Sequence, residues 1–227
     1  MKMKYPKSMV TGDGLSVMLR PVMRNDAEAL RSFFAMARPR EEWFLRKDLA
    51  DPVILDRWLE NLDYGSDLST LAVREDDGEI IGVLILSFAP DGFRRPLAHV
   101  IVTVHPVYRF LNIRTWLIED CIELAITCGT ERLVVDCLAD LEGGLADVLR
   151  DLDFREVQTL KRYVGDSRGK YRDLLVMAKN LPQDCGAFQS SRLKRIPGIP
   201  KKLTKKTGCV GVAGACLPED SAICGSF

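Results

Sequence analysis

A nearly continuous apolar segment near the middle of the chain limits the folds open to this sequence more than any other feature. Residues 98–104 (AHVIVTV) have the length of a strand and end at His105 and Pro106. An amphipathic helix is predicted next, from about residue 113 to residue 127, and a further strand at residues 133–137. Strand and helix patterns therefore alternate along the chain, which predicts an α/β fold.

Similar patterns recur on both sides of this segment. Strands are predicted at residues 15–20, 69–74, 79–88, 156–163 and 173–179. Helices are predicted at residues 27–38, 52–62 and 144–152, and the second follows Asp51, a suitable N-cap before Pro52. The predicted order of elements is β-αα-βββ-α-β-α-ββ.

The periodic patterns are confined to one part of the chain, so we predict a domain at residues 15–182 after an N-terminal lead at residues 1–14. Residues 183–206 carry seven Lys or Arg against one acid, and residues 207–227 are rich in Gly, Ala, Ser and Cys. Neither stretch has the apolar periodicity of a helix or strand, so residues 183–227 are expected to form a flexible tail.

Charge and hydropathy exclude several classes of partner and site. Lys+Arg and Asp+Glu both number 32, and this balance argues against nucleic acid as a partner. The longest apolar runs are strand-sized, and no apolar signal core follows the basic N-terminus, so we expect a cytoplasmic protein without a membrane span. The seven cysteines form no C-x-x-C pair and neither histidine has a partner at ligand spacing, which predicts that no metal is bound.

The segment after the central strand carries a family resemblance. Residues 104–109 (VHPVYR) resemble the end of the fourth strand and the start of the coenzyme A loop in the GCN5-related N-acetyltransferase (GNAT) family. That family continues R/Q-x-x-G-x-G/A into a helix, whereas Asn112 and Arg114 stand here in place of the glycines. Downstream, residues 145–157 (LADVLRDLDFREV) resemble the closing helix and its "GF" turn, with Asp153 in place of Gly.

The resemblance implies a GNAT-type mixed, mostly antiparallel central sheet flanked by helices, with acetyl-CoA as cosubstrate. A helix N-terminus suits the pyrophosphate, and glycines let the backbone approach it closely. Asn tolerates left-handed backbone geometry better than most residues, and Arg114 can contact phosphate directly. The implied cofactor-binding residues are Val102, Thr103, Val104, Arg109, Phe110, Leu111, Asn112, Ile113, Arg114 and Thr115.

The resemblance also implies where the catalytic groups lie. In the family, a backbone N–H of the fourth strand holds the acyl carbonyl, here within residues 102–104. The general base often lies at the start of that strand or in the fifth strand, which makes His99 and Asp136 the candidates. Leu149 occupies the position of the tyrosine that protonates the thiolate in many members.

Two functions remain open from the sequence. The first is transfer of an acetyl or similar acyl group from acyl-CoA to an amine of unknown identity, on a small molecule or a protein. The second is a non-catalytic GNAT-fold binding domain in which Phe110 and Arg114 block the degenerate coenzyme A loop. A homodimer is compatible with either function.

Overall fold

The computed structural model describes most of the expected domain and a short part of the expected tail. The described residues are 4–41, 49, 51–62, 67–88, 97–138, 144–165, 171–182 and 196–199, with the backbone alone for 37–41. The tail residues 183–195 and 200–227 lie outside the described residues, so the predicted flexibility there stays a prediction.

Eight strands of the described residues form one sheet in the order β1-β2-β3-β4-β5-β6-β8-β7. Every pair of neighbours is antiparallel except β5 and β6, which are parallel. The strands are β1 (Lys7–Val10), β2 (Ser16–Pro21), β3 (Asp67–Arg74), β4 (Ile80–Phe88), β5 (Leu97–Val104), β6 (Arg132–Leu138), β7 (Arg155–Gly165) and β8 (Tyr171–Asn180).

In the part of the chain that the structure describes, four α-helices accompany the sheet: α1 (Ala27–Glu41), α2 (Pro52–Glu60), α3 (Ile113–Cys128) and α4 (Leu145–Asp151). Asp51 caps α2 by accepting a hydrogen bond from the Val53 N–H at 2.8 Å. Gly129 ends α3 in the left-handed conformation, with φ of 75°. Within the described ranges, no helix is long and apolar enough to cross a membrane.

The predicted fold class is confirmed, with one addition at the N-terminus. Every predicted strand and helix is present within a few residues of its expected bounds. The expected lead, however, contains β1, which pairs with β2 from Lys7–Leu19 to Val10–Ser16. The predicted fourth and fifth strands are therefore β5 and β6. A four-residue edge strand has too short a pattern to be detected in sequence.

The helix α3 packs closely against one face of the sheet at Gly82 in β4. A Cβ atom built on Gly82 would lie 2.9 Å from Leu117 Cδ1 and 3.3 Å from Ile113 Cγ2. The absence of a side chain at this position therefore lets the start of α3 approach the sheet. Residues on both faces of β3 and β4 are buried, and α1 packs against β4 and β5 as well.

The N-terminal segment is attached to the middle of α3 by a buried carboxylate. Tyr5 Oη donates to Asp120 Oδ2 at 2.5 Å, and Lys7 Nζ lies 2.7 Å from Asp120 Oδ1. Burial raises the pKa of Asp120 above its ordinary value, although Lys7 and Tyr5 act in the opposite direction. Since a buried carboxylate needs such partners, residues 5–7 are fixed to the helix.

A turn from the expected tail covers the other side of Tyr5. Ile196 and Ile199 are buried in the core cluster, and the Tyr5 N–H donates to the Pro197 carbonyl at 2.8 Å. Gly198 has φ of 91°, and a Cβ there would lie 2.4 Å from the Tyr5 carbonyl oxygen. Residues 196–199 of the expected flexible tail therefore pack on the N-terminal segment.

We expect this turn to contribute to stability. A chain ending at Pro182 should melt roughly 5–10 °C below a chain ending at Ile199. The two isoleucines bury apolar surface worth roughly 2–3 kcal/mol after the cost of ordering the turn, and each kcal/mol shifts Tm by about 2–4 °C at this size. Gly198→Ala in the full chain should lower Tm similarly. Equal melting temperatures of the two truncated chains would contradict the role of the turn.

Candidate active site

The sheet divides between β5 and β6. The parallel pairing starts at Leu97–Arg132 and ends at Val100–Val135. Beyond that point β5 continues to Val104 along β4, while β6 continues to Leu138 along β8. The two strands therefore diverge, and a split opens at the carboxyl end of the only parallel pair in the described sheet. Splits of this kind are common ligand sites in α/β proteins.

Backbone groups of β5 are directed into this split. The His105 N–H donates to the Ile81 carbonyl in β4 at 2.9 Å. Because N–H groups alternate in direction along a strand, Thr103 also faces β4, whereas Val102 and Val104 face the split. Both lie beyond the last residue of β5 that pairs with β6. Among the three predicted donors to an acyl carbonyl, the geometry thus favours Val102 and Val104 over Thr103.

The loop after β5 delivers the start of α3 to the same edge of the sheet. Asn112 is the N-cap of α3 with φ of 54° and ψ of 5°, and its side chain makes no cap hydrogen bond. The N–H groups of the first turn are thus not capped by Asn112, and they carry the partial positive charge of the helix. The position where the family has glycine does require left-handed geometry, which Asn supplies.

A second position at which the family has glycine also has a left-handed backbone conformation. Asp153, in place of the glycine of the "GF" turn, has φ of 61°. The Phe154 N–H donates to the Leu149 carbonyl at 2.8 Å, which closes the turn after α4. The Phe154 side chain is buried. Both departures from the family pattern therefore keep the backbone conformation that the glycines provide.

The remaining predicted cofactor-binding residues differ in exposure. Arg114, at the second position of α3, is only 8% exposed, and Ile113 lies in the core. Arg109, Leu111 and Thr115 are partly buried. Phe110 is 89% exposed, so its ring extends into solvent and does not fill the loop.

A polar network fixes the loop to the β3–β4 hairpin. Tyr108 Oη donates to Glu79 Oε2 at 3.0 Å, and Arg74 Nη1 donates to Tyr108 Oη at 2.7 Å. Arg74 also pairs with Asp77, which lowers the pKa of that carboxyl to about 2. Burial, followed by the hydrogen bond to Glu79, raises the pKa of Tyr108. Sequence patterns do not reveal this network, because its members lie on separate elements.

His105 has a structural role in the same loop. Its Nδ1 accepts a hydrogen bond from the Val107 N–H at 3.3 Å and so caps the short 3-10 helix Pro106–Tyr108. The His105 and Tyr108 rings lie 5.4 Å apart between centroids.

The two candidate bases lie on the same face of the sheet. His99 pairs with Ser87 in β4 and with Val134 in β6, so all three side chains share one face. Asp136 is two residues beyond Val134 and therefore lies on that face too. Both candidates are partly buried and make polar or electrostatic contacts. The face is opposite to the one that α3 covers at Gly82.

No cluster of three or more His, Cys, Asp or Glu side chains suited to a metal ion occurs in the parts of the chain that the structure describes. The described cysteines Cys121, Cys128 and Cys137 are all buried. Burial raises the pKa of the Cys137 thiol to about 11, and such a thiol is a poor nucleophile at neutral pH.

Comparisons with known proteins agree with this geometry. The sequence model of the acetyltransferase (GNAT) family matches residues 29–152, whereas no curated protein sequence matches the chain at a significant level. The solved ribosomal-protein-S5-alanine acetyltransferase from Vibrio fischeri is 18% identical, with a TM-score of 0.65 and coverage of 79% of this chain and 98% of that chain.

Two further solved structures are similar. The ribosomal-protein-alanine N-acetyltransferase from Brucella melitensis is 25% identical, with a TM-score of 0.62 over 72% of this chain and 99% of that chain. Mycobacterium smegmatis RimJ in complex with CoA-disulfide is 22% identical, with a TM-score of 0.63 over 86% of this chain and 97% of that chain.

The left-handed geometry at Asn112 leads to a prediction about stability. Asn112→Ala should lower the free energy of unfolding by about 1 kcal/mol, because a Cβ without a compensating polar group is disfavoured there. Asn112→Gly should leave stability unchanged or slightly higher. Chemical denaturation measures both, with the exposed Val107→Ala as a control that should change little. Equal effects of Ala and Gly at Asn112 would contradict the argument.

Proposed function

This chain belongs to the acetyltransferase (GNAT) family, and on that premise we propose that it transfers an acetyl or similar acyl group from acyl-CoA to an amine. The main support is the split between β5 and β6, where the N–H groups of Val102 and Val104 and the start of α3 meet at one sheet edge. The acceptor amine is proposed only as a class, on a small molecule or a protein.

The residues at this edge fit a coenzyme with a thioester at one end and a pyrophosphate in the middle. The first turn of α3 offers N–H groups and a positive partial charge to the pyrophosphate. Arg114, in that same turn, adds a full positive charge from a buried position, and Arg109 precedes it in the loop. These charges compensate for the loss of the close backbone approach to the pyrophosphate that glycines would allow.

When bound, acetyl-CoA supplies the activated acyl group, and the chain's own residues prepare the amine and the carbonyl. The N–H of Val102 or Val104 donates to the carbonyl oxygen, where negative charge develops during attack. His99, or Asp136 on the same face, accepts the proton that the ammonium must lose before it can attack. Leu149, at the position of the family's tyrosine, has an aliphatic side chain and no proton to give, so coenzyme A would leave as the thiolate and take its proton from solvent.

The test of coenzyme binding is a calorimetric titration of the full chain with acetyl-CoA. Replacing Arg109 and Arg114 together by Met should weaken binding by about 2–4 kcal/mol, since each charged hydrogen bond contributes roughly 1.5–3 kcal/mol with imperfect additivity. Binding to the wild type should also weaken with added salt. Arg150→Met, an exposed change on α4, is the control and should bind like the wild type.

The same titration separates the enzyme from a non-catalytic binding domain. In the second case the wild type gives no heat at millimolar acetyl-CoA, and the triple variant Phe110→Gly, Asn112→Gly, Arg114→Gly acquires binding. That result would contradict the proposed transferase activity, while the assignment of the fold would be unaffected.

The choice of base is tested by kinetics. His99→Ala should lower kcat by roughly a hundredfold without changing acetyl-CoA affinity, the usual scale for losing a general base. Release of free coenzyme A would be followed with small amines and with peptides that have a free N-terminus. Ser87→Ala, which alters the direct neighbour of His99 on β4, is the control. If the activity of His99→Ala stays within about threefold of wild type, His99 is not the general base. Asp136 is then the candidate, and Asp136→Asn tests it.

A further inference from the structure

Phe110 is the most exposed large apolar side chain in the described part of the protein. Its side chain is 89% exposed, and Val107, three residues earlier, is 71% exposed. Val107 lies in the 3-10 helix Pro106–Tyr108, and a further turn follows in which the Leu111 N–H donates to the Tyr108 carbonyl at 3.2 Å. Residues three apart in such a turn lie on the same side. Val107 and Phe110 therefore present one small apolar platform to solvent.

The platform lies on the loop that leads into α3. Phe110 precedes Asn112, the N-cap of the helix, by two residues. The reactive arm of the coenzyme must run from the start of α3 toward Val102 and Val104, which lie in the split. Its adenosine end lies on the far side of the pyrophosphate from the thioester, and hence away from the split. The exposed ring is thus placed at the outer side of the pyrophosphate site.

We infer that Phe110, supported by Val107, binds the adenine of acyl-CoA by stacking and makes this chain selective for the complete coenzyme over its shorter phosphopantetheine analogues. This inference rests on the proposed acyl-CoA site. An adenine has a flat apolar face that stacks on an aromatic ring without needing directed hydrogen bonds. The loop lacks the family's glycines and so approaches the pyrophosphate less closely. The stacking contact compensates for the affinity for acyl-CoA that is lost in this way.

The platform is too small for a protein interface by itself. A stable interface usually covers about 800 Å² on each partner, whereas two side chains cover a small part of that. An adenine ring, by contrast, matches the size of one phenyl ring with a neighbouring methyl pair. The position beside an anion site also favours a ligand that carries phosphates.

The experiment titrates the full chain with acetyl-CoA and with S-acetyl-4′-phosphopantetheine, which keeps the thioester arm and one phosphate but lacks the adenosine. Phe110→Ala should weaken acetyl-CoA binding about tenfold, as expected for one base stacked on an aromatic ring, and change the analogue by less than twofold. Phe110→Trp should bind acetyl-CoA at least as well as the wild type. Phe110→Leu should lie between Phe and Ala.

Tyr163→Ala is the matched control, because Tyr163 is also an exposed aromatic residue, 65% exposed, but lies on β7. It should leave both affinities unchanged. Acetyl-CoA binding to Phe110→Ala within twofold of wild type, or equal weakening of both ligands, would overturn the adenine contact while the coenzyme site stands. Failure of the wild type to bind acetyl-CoA at all would overturn the proposed function and this inference together.

Discussion

Strands β5 and β6 pair in parallel over only four residues, and the candidate site depends on that short pairing. Because a parallel connection needs a crossover, the chain between the two strands must form α3 and pack it on one face of the sheet. The start of α3 consequently lies beside the point where the strands separate. The split leaves the N–H groups of Val102 and Val104 outside the pairing of β5 with β6, while the helix contributes positive partial charge. A longer parallel pairing would close the split and use the same N–H groups for sheet hydrogen bonds.

The position of α3 is in turn fixed from several sides. Gly82 allows close packing at its first turns, and the buried Asp120 holds Tyr5 and Lys7 near its middle. The turn at residues 196–199 covers Tyr5, so both ends of the described chain contact the helix or its partners. Polar contacts of this kind are costly to leave unpaired in a low dielectric, which favours one arrangement of the segments over others.

The coenzyme loop shows how a family signature can change while its backbone persists. Asn112 and Asp153 both adopt the left-handed conformation that glycine would adopt, with φ of 54° and 61°. The conformation is required by the turns, whereas the residue type is constrained only to those that tolerate it. Arg114 is a different kind of departure, since it adds a buried charge at the helix start. The loop therefore differs from the family mainly in how a phosphate would be held.

The sequence alone determined the elements and their order from β2 onward, because apolar periodicity and the Asp51 cap are local signals. The resemblance to the GNAT family also indicated the loop at residues 104–114 and implied the candidates His99 and Asp136. Only the tertiary structure decided that these two residues share a face of the sheet. It also decided that the backbone N–H groups of Val102 and Val104, rather than that of Thr103, face the split, and that Glu79 and Arg74 form hydrogen bonds with Tyr108. It also decided that β1 and residues 196–199 join the domain. The physical reason is that strand register, splitting of a sheet and pairing of buried polar groups depend on residues far apart in sequence, for which a single chain carries no local pattern.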